Sequence, residues 1–130
     1  MSSATRVQAI RRRDLFFVQS QINDIFAARL LIDTGATLTV LSSAYARLTN
    51  LIDSASLRQE TVITAQAIVT APVIRLEKFQ IGGLVVSNVE AAIIPLPEQL
   101  GVQGLLGASF LRHFRVTFEY DTNTVVFRAL

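Results

Sequence analysis

The chain has 130 residues, of which 51% are hydrophobic and 17% charged, so it is large and apolar enough to form one folded domain with a buried core. The absence of cysteine excludes disulfides and thiolate metal sites, a single histidine excludes a histidine-rich metal cluster, and no apolar run reaches the roughly 18 residues that a membrane span needs. Four of the 12 basic residues lie within residues 1–13, which contain no acid, so the rest of the chain carries 8 basic against 10 acidic side chains and we expect no nucleic-acid-binding surface there.

The first 14 residues are polar and basic, and they include the run Arg11-Arg12-Arg13. Such a charge run is typical of a solvated chain end, so we predict a flexible tail over residues 1–14 and a single domain over residues 15–130. An alternative is that the arginine run binds nucleic acid or acidic lipid. The tail lacks the apolar segment of a secretory signal, which favours a cytoplasmic location.

From residue 15 onwards, the apolar residues follow the pattern of short strands separated by turns. Asn23-Asp24 predicts the turn of a first hairpin, whose second strand runs from Ile25 to Ile32. The alternating, β-branched segment 37–41 predicts a further strand. Ser42-Ser43 then offers an N-cap for a short helix.

The second half of the chain continues this pattern. Residues 61–70 predict a hairpin with Ala65-Gln66-Ala67 at its tip, Pro72 begins a further strand, and Gly82-Gly83 predicts another turn. The remaining predicted elements are a strand over 89–94, a short helix over 108–113 and strands over 114–120 and 125–127. Together these elements predict an all-β fold, a small closed or partly closed β-barrel with one or two short helices.

One ionisable side chain stands at the end of an apolar strand. Asp33 follows Leu30-Leu31-Ile32 and opens the sequence Asp33-Thr34-Gly35, which occurs once in the chain. Two facing carboxylates that share a proton hydrolyse peptides well, because one accepts a proton from water while the other donates to the peptide carbonyl. A pair therefore requires a homodimer whose two-fold axis supplies the second Asp33. The alternative is a plain turn after a buried strand.

The neighbours of Asp33 are suited to such a pair. The hydroxyl of Thr34 can lock two loops together by hydrogen bonding. Gly35 lets the backbone approach closely and can direct an N–H at the carboxylate. Ala36 is small enough to leave room for a peptide backbone.

These residues resemble the single-domain retropepsin-like aspartic proteases. The resemblance is carried by Leu31-Ile32-Asp33-Thr34-Gly35-Ala36, Val40-Leu41-Ser42 and Gly104-Leu105-Leu106-Gly107, with Phe110-Leu111 and Asp121 beyond, and it covers residues 16–130. It implies an obligate homodimer with the active site across the interface, and a β-hairpin flap from each subunit over an extended peptide. It also implies cleavage beside apolar side chains at acidic to near-neutral pH.

Two departures indicate the branch of the family. Retroviral members usually have an Asp four residues after the catalytic one, paired with an Arg directly after the downstream glycine; here those positions hold Thr37 and Ala108. Because both partners are absent together, the chain resembles bacterial and cellular relatives more than a viral enzyme. The flap tip holds Ala65-Gln66-Ala67 where related sequences often have glycine, so the tip must use another turn or be stiffer.

We therefore expect an aspartic endopeptidase in which Asp33 is catalytic and Thr34 and Gly35 support the pair. Substrate contacts are expected from Ala36 and from the flap tip, Ala65, Gln66 and Ala67, while Leu105, Leu106 and Gly107 pack behind the loop and shape an apolar subsite. No metal or organic cofactor is expected, since water is the nucleophile, and the expected partners are a second copy of the chain and a polypeptide. The alternative is a non-catalytic module that binds a peptide in the same groove or only dimerises.

Overall fold

The computed structural model describes residues 3–51, 58–64 and 67–130, and strands predominate in it. The strands are β1 Ala4–Gln8, β2 Ile10–Arg12, β3 Leu15–Ile22, β4 Phe26–Ile32, β5 Thr39–Ser42, β6 Arg58–Ile63, β7 Ile68–Ile81, β8 Leu84–Ile94, β9 Gly104–Leu106, β10 Phe114–Glu119 and β11 Thr124–Ala129. The helices are α1 Ser43–Leu48 and α2 Ala108–Leu111, with one turn of 3₁₀ helix at Glu98–Leu100. The predicted all-β class with short helices is confirmed. Within the described ranges, no helix is long and apolar enough to cross a membrane.

The strands form two sheets. The larger has the order β2-β3-β4-β9-β5-β8-β7-β6, and β3 also pairs with β7, so the sheet closes into a barrel. The smaller has the order β1-β11-β10. Pairing is antiparallel except for β4 with β9 and β5 with β8, which are parallel. The predicted partly closed barrel is therefore present.

Local sequence signals account for the first turn and the first helix. Asn23 and Asp24, in the three-residue connection between Ile22 and Phe26, have φ angles of 52° and 64°, left-handed values that these residue types tolerate. The Ile25 N–H donates to the Ile22 carbonyl at 3.1 Å and closes this turn. Ser42 caps α1, where its Oγ accepts a hydrogen bond from the Tyr45 N–H at 3.1 Å.

The prediction of a flexible tail over residues 1–14 is wrong for residues 4–12. β1 pairs with β11, and β2 pairs with β3. The apolar side chains of Val7 and Ala9 are only 7% and 6% exposed, and they alternate with polar residues that face outwards. The prediction rested on the basic composition of the segment and did not use this alternation, which is the pattern of a strand with one buried face.

The prediction that a new strand begins at Pro72 is also wrong, because β7 runs without a break through this proline. β7 pairs with β6 as far as Val73 and with β8 from Val73 onwards. Pro72 therefore lies outside the segment that pairs with β8, where its missing N–H removes no bond from that ladder.

The main core lies inside the barrel and under the smaller sheet. Phe110 of α2 is fully buried, and its ring centroid lies 5.4 Å from that of Phe79, 5.3 Å from Phe114 and 6.1 Å from Phe127. These rings connect α2 to both sheets. A second, smaller core lies between the β6–β7 hairpin and the strands around β9; its members include Val62, Val73 and Leu105.

Two glycines allow backbone segments to cross in contact. A Cβ at Gly104 would overlap the carbonyl of Val40, and a Cβ at Gly107 would overlap the carbonyl of Leu38 and lie 2.9 Å from the carbonyl oxygen of Ala36. All of these neighbours are backbone atoms, which cannot rotate away as a flexible side chain would. Residues 36–40 can therefore approach residues 104–107 this closely only because glycine stands at both positions.

We predict that Gly107→Ala abolishes folding or lowers the free energy of unfolding by about 3 kcal/mol or more, because the added methyl group has no space. Gly83→Ala is the matched control, since a Cβ there would meet only the Thr5 Cγ2 at 3.9 Å. Denaturant unfolding at equal protein concentration measures both. Equal stability of Gly107→Ala and the wild type would contradict the close crossing.

Candidate active site

The backbone of Asp33 is fixed by the strand that runs beside it. β4 pairs in parallel with β9, with Leu31 opposite Leu105. The Asp33 N–H extends this ladder by donating to the Leu106 carbonyl at 3.0 Å. One turn later, the Ala36 N–H donates to the Asp33 carbonyl at 3.2 Å. The aspartate therefore stands on a rigid strand end, although its residue type is one that prefers turns.

The side chain of Asp33 is half-buried, and the following two residues, Thr34 and Gly35, are exposed. The Gly35 N–H donates to the Asp33 Oδ1 at 2.9 Å. A hydrogen bond from an N–H to a carboxylate is stronger than one between neutral groups, so it fixes the orientation of the side chain. Within the described part of the chain, Oδ2 has no hydrogen-bond donor, and it is free to contact water or another carboxyl group.

A buried network of hydroxyl groups supports the aspartate loop, residues 33–38. The Thr39 N–H donates to the Ser109 Oγ at 2.7 Å, and that hydroxyl donates to the Glu90 carbonyl, also at 2.7 Å. The Thr39 Oγ1 accepts from the Gly107 N–H at 3.2 Å. Thr39 and Ser109 are 0% and 3% exposed. The sequence reasoning missed both, although a hydroxyl residue inside an apolar segment is the signal that could have identified them.

Thr37 and Ala108 occupy the positions that hold an Asp and an Arg in retroviral members, and here both form hydrogen bonds through their backbone N–H groups. The Ala108 N–H, at the start of α2, donates to the Ala36 carbonyl at 2.9 Å. The Thr37 N–H donates to the carbonyl of Ile63, at the end of β6, at 3.0 Å. The Thr37 Oγ1 in turn accepts from the Ile63 N–H at 3.3 Å. Thr37 therefore ties the β6–β7 hairpin directly to the aspartate loop.

That hairpin has the position of the predicted flap. β6 and β7 pair antiparallel up to Ile63 opposite Ile68, as predicted. The Ala67 carbonyl accepts from the Thr64 N–H at 2.9 Å, just below the tip. The tip residues Ala65 and Gln66 lie outside the described residues.

A hollow of about 570 Å³ lies between the aspartate loop and this hairpin. Of the predicted site residues that the structure describes, three line it: Asp33, Ala67 and Leu105. Much of the remaining wall was not predicted. It comes from the last residue of β8, the segment after β8 and the 3₁₀ turn, and it comprises Ile94, Pro95, Leu96, Pro97, Gln99 and Leu100.

The other predicted contact residues that the structure describes lie behind the hollow. Ala36 is 1% exposed and Leu106 is 0% exposed, and Gly107 is buried against residues 36–38. Their position in the structure supports the aspartate loop, and none of the three is part of the wall of the hollow. A largely apolar hollow with one half-buried carboxylate suits an extended peptide with apolar side chains.

Comparisons with known proteins agree with this geometry. Residues 18–113 match the family model described as “gag-polyprotein putative aspartyl protease”. The crystal structure of a retropepsin-like aspartic protease from Rickettsia conorii is similar, with a TM-score of 0.70 and 21% identity over 99% of this chain and 94% of that chain. The retroviral protease-like domain of Ddi1 from Leishmania major is similar with a TM-score of 0.60 and 14% identity, over 89% of this chain and 94% of that chain. Among curated proteins, none matches the chain.

We predict that Ser109→Ala lowers the free energy of unfolding by about 1–3 kcal/mol, because it leaves the buried Thr39 N–H without an acceptor. Ser87→Ala, which removes an exposed hydroxyl from β8, is the control and should change stability by less than about 0.5 kcal/mol. Denaturant unfolding at one protein concentration gives both values. A loss no larger for Ser109→Ala than for Ser87→Ala would contradict the role of the network.

We predict that Thr37→Val increases amide hydrogen exchange at Ile63 by about fivefold to tenfold, because it removes the hydroxyl acceptor of that N–H. Thr37→Ser retains the hydroxyl and should keep exchange near the wild-type rate. The measurement is residue-resolved exchange by NMR. If the Ile63 amide exchanges at the same rate in all three proteins, the Thr37 hydroxyl does not hold the hairpin.

Proposed function

The chain belongs to the gag-polyprotein aspartyl protease family, and from this premise we propose that it is an aspartic endopeptidase whose active site forms between two copies of the chain. The observation that carries the proposal is the geometry of Asp33, a half-buried carboxylate with one oxygen fixed by Gly35 and the other open beside an apolar hollow. Each chain has a single Asp-Thr-Gly sequence, so the second carboxylate comes from the partner subunit.

A two-fold axis near the exposed Thr34-Gly35 tip would bring two Asp33 side chains together. Two carboxylates within a few ångströms cannot both ionise, so the pair holds one proton over a range of pH, and its apparent pKa values belong to the pair. The ionised Asp33 takes a proton from water as the oxygen attacks the peptide carbonyl carbon. The protonated Asp33 donates to the carbonyl oxygen.

The resulting tetrahedral diol collapses when its C–N bond breaks. The nitrogen receives the proton that was taken from water, and one hydroxyl of the diol returns its proton to the ionised Asp33 as the carbonyl forms again in a carboxylic acid. The two Asp33 side chains end with one shared proton, as they began, so the cycle needs no cofactor and no net change in the enzyme.

The substrate would lie in the hollow as an extended strand. The main-chain groups of the hairpin on one side and of the aspartate loop on the other can pair with its backbone, which gives affinity for any sequence. Leu31, Leu105 and Leu100 would contact side chains near the cut bond. This supports a preference for apolar residues there.

We predict that Asp33→Asn abolishes cleavage of an unfolded protein or an apolar peptide at pH 4 to 6, while the fold and the oligomeric state stay unchanged. An amide can neither take a proton from water nor share one with a carboxylate. A transition-state-mimicking inhibitor of aspartic proteases should block the wild type. Full activity of the variant excludes the mechanism, and peptide binding by a wild type that never cleaves favours the binding module instead.

A mixing experiment tests whether the two carboxylates come from two chains. When wild type is refolded with a threefold excess of Asp33→Asn, random pairing leaves about a quarter of wild-type chains with a wild-type partner. The rate per wild-type chain should therefore fall to about a quarter. A rate that is independent of the added variant would show that one chain is sufficient.

A further inference from the structure

We propose that Arg29, together with Arg12, forms a subsite for an acidic side chain of the substrate at the outer end of the binding groove. The inference rests on the proposed peptidase function and adds a substrate class to it. Neither arginine belongs to the catalytic loop or to the wall of the hollow beside Asp33.

The groove continues beyond the hollow that contains Asp33. Leu100 lines this hollow and also a small adjoining cleft, whose other lining residues include Arg12, Phe17 and Arg29. Phe17 and Arg29 in turn line a further hollow of about 260 Å³. The shared lining residues place the three depressions side by side, in an order that leads away from the aspartate.

The outer two depressions are lined by basic side chains. Among the residues that the structure describes, their linings include Arg6, Arg12 and Arg29 and no aspartate or glutamate. Arg6 already forms an ion pair with Glu119 at 2.6 Å. Arg12 and Arg29 have no acidic partner within the residues that the structure describes.

Arg29 differs from the other arginines of the chain in its exposure. It is half-buried, whereas each of the other arginines that the structure describes is exposed. Its backbone is held on β4, where its N–H donates to the Gln103 Oε1 at 2.6 Å, but within the described residues its guanidinium has no hydrogen-bond acceptor. A half-buried arginine without an acceptor for its guanidinium gives up hydration without compensation.

A carboxylate is the group that would compensate Arg29 for this lost hydration. Guanidinium binds a carboxylate through two parallel hydrogen bonds, and partial burial makes such a pair stronger than one at the surface. Arg12 stands over the ring of Phe17, with its Cζ 5.9 Å from the ring centroid, so it is held beside the same cleft. An acidic side chain could then contact both cations.

The strand geometry sets where this acid would lie. Ala28, Leu30 and Ile32 of β4 are buried, so Arg29 and Leu31 lie on the opposite face of the strand, and Asp33 continues the same alternation. Arg29 and Asp33 are four residues apart, which is about 13 Å along a strand. An extended peptide has a similar rise, so the acidic residue lies about three to five positions from the cut bond.

The test is a charge exchange between the enzyme and the substrate. A series of apolar peptides carries one Glu at each of the third to fifth positions on either side of the cut bond. At the preferred position, matched Gln and Lys peptides are added. We expect the wild type to cleave the Glu peptide with a kcat/KM about tenfold above that of the Lys peptide, mainly through KM.

Arg29→Gln should remove this preference, and Arg29→Glu should reverse it in favour of Lys, while kcat for the Gln peptide stays near wild type. Arg75→Gln is the matched control, because Arg75 is exposed on β7 and lines none of the three depressions. It should retain the wild-type preference.

Equal cleavage of the three peptides by the wild type overturns the subsite, as does a preference that survives Arg29→Gln. A change in oligomeric mass on Arg29→Gln overturns it too, since Arg29 would then pair with the second copy. If the wild type cleaves no peptide, the proposed function fails separately. Calorimetric binding of the same peptides then still decides the subsite. Tighter binding of the Glu peptide than of the Lys peptide supports the subsite, and equal binding overturns it.

Discussion

The candidate site depends on one close crossing of backbone segments. Residues 36–40 pass over residues 104–107 at a distance that excludes a Cβ at Gly104 and at Gly107, and hydrogen bonds from Asp33 and Ala108 close the crossing on both sides. The buried hydroxyls of Thr39 and Ser109 then satisfy the backbone groups that the crossing leaves inside the protein. The proposed pairing of two Asp33 carboxylates at a two-fold axis needs this rigidity, because small displacements change proton sharing.

The absence of the retroviral Asp–Arg pair does not leave the loop unsupported. Backbone hydrogen bonds of Ala108 and Thr37 replace the charges, and Thr37 adds a connection to the hairpin above the groove. The aspartate loop and the hairpin are thereby coupled through one residue, by both its N–H and its hydroxyl. Neutral hydrogen bonds avoid the desolvation that a buried ion pair requires.

Because the N-terminal segment is folded, its basic residues have fixed positions on the barrel. As part of the folded unit, β1 and β2 bring Arg6 and Arg12 to the same side of the barrel as Arg29. The positive charge is therefore a fixed surface at the end of the groove and does not sit on a solvated tail. Its position, next to residues that line the hollow beside Asp33, is the basis of the proposed preference for an acidic side chain.

The sequence alone determined the local features: the all-β class, the hairpin at Asn23-Asp24, the Ser42 cap and the aspartate loop. Each depends on neighbouring residues, whose preferences are readable in order along the chain. Only the tertiary structure decided that residues 4–12 are strands, that β7 runs through Pro72, that Ser109 supports the loop and that Arg29 lies beside the groove. These depend on contacts between residues far apart in the sequence, since the partner strand, the burial and the missing counter-charge of a residue are set by the fold.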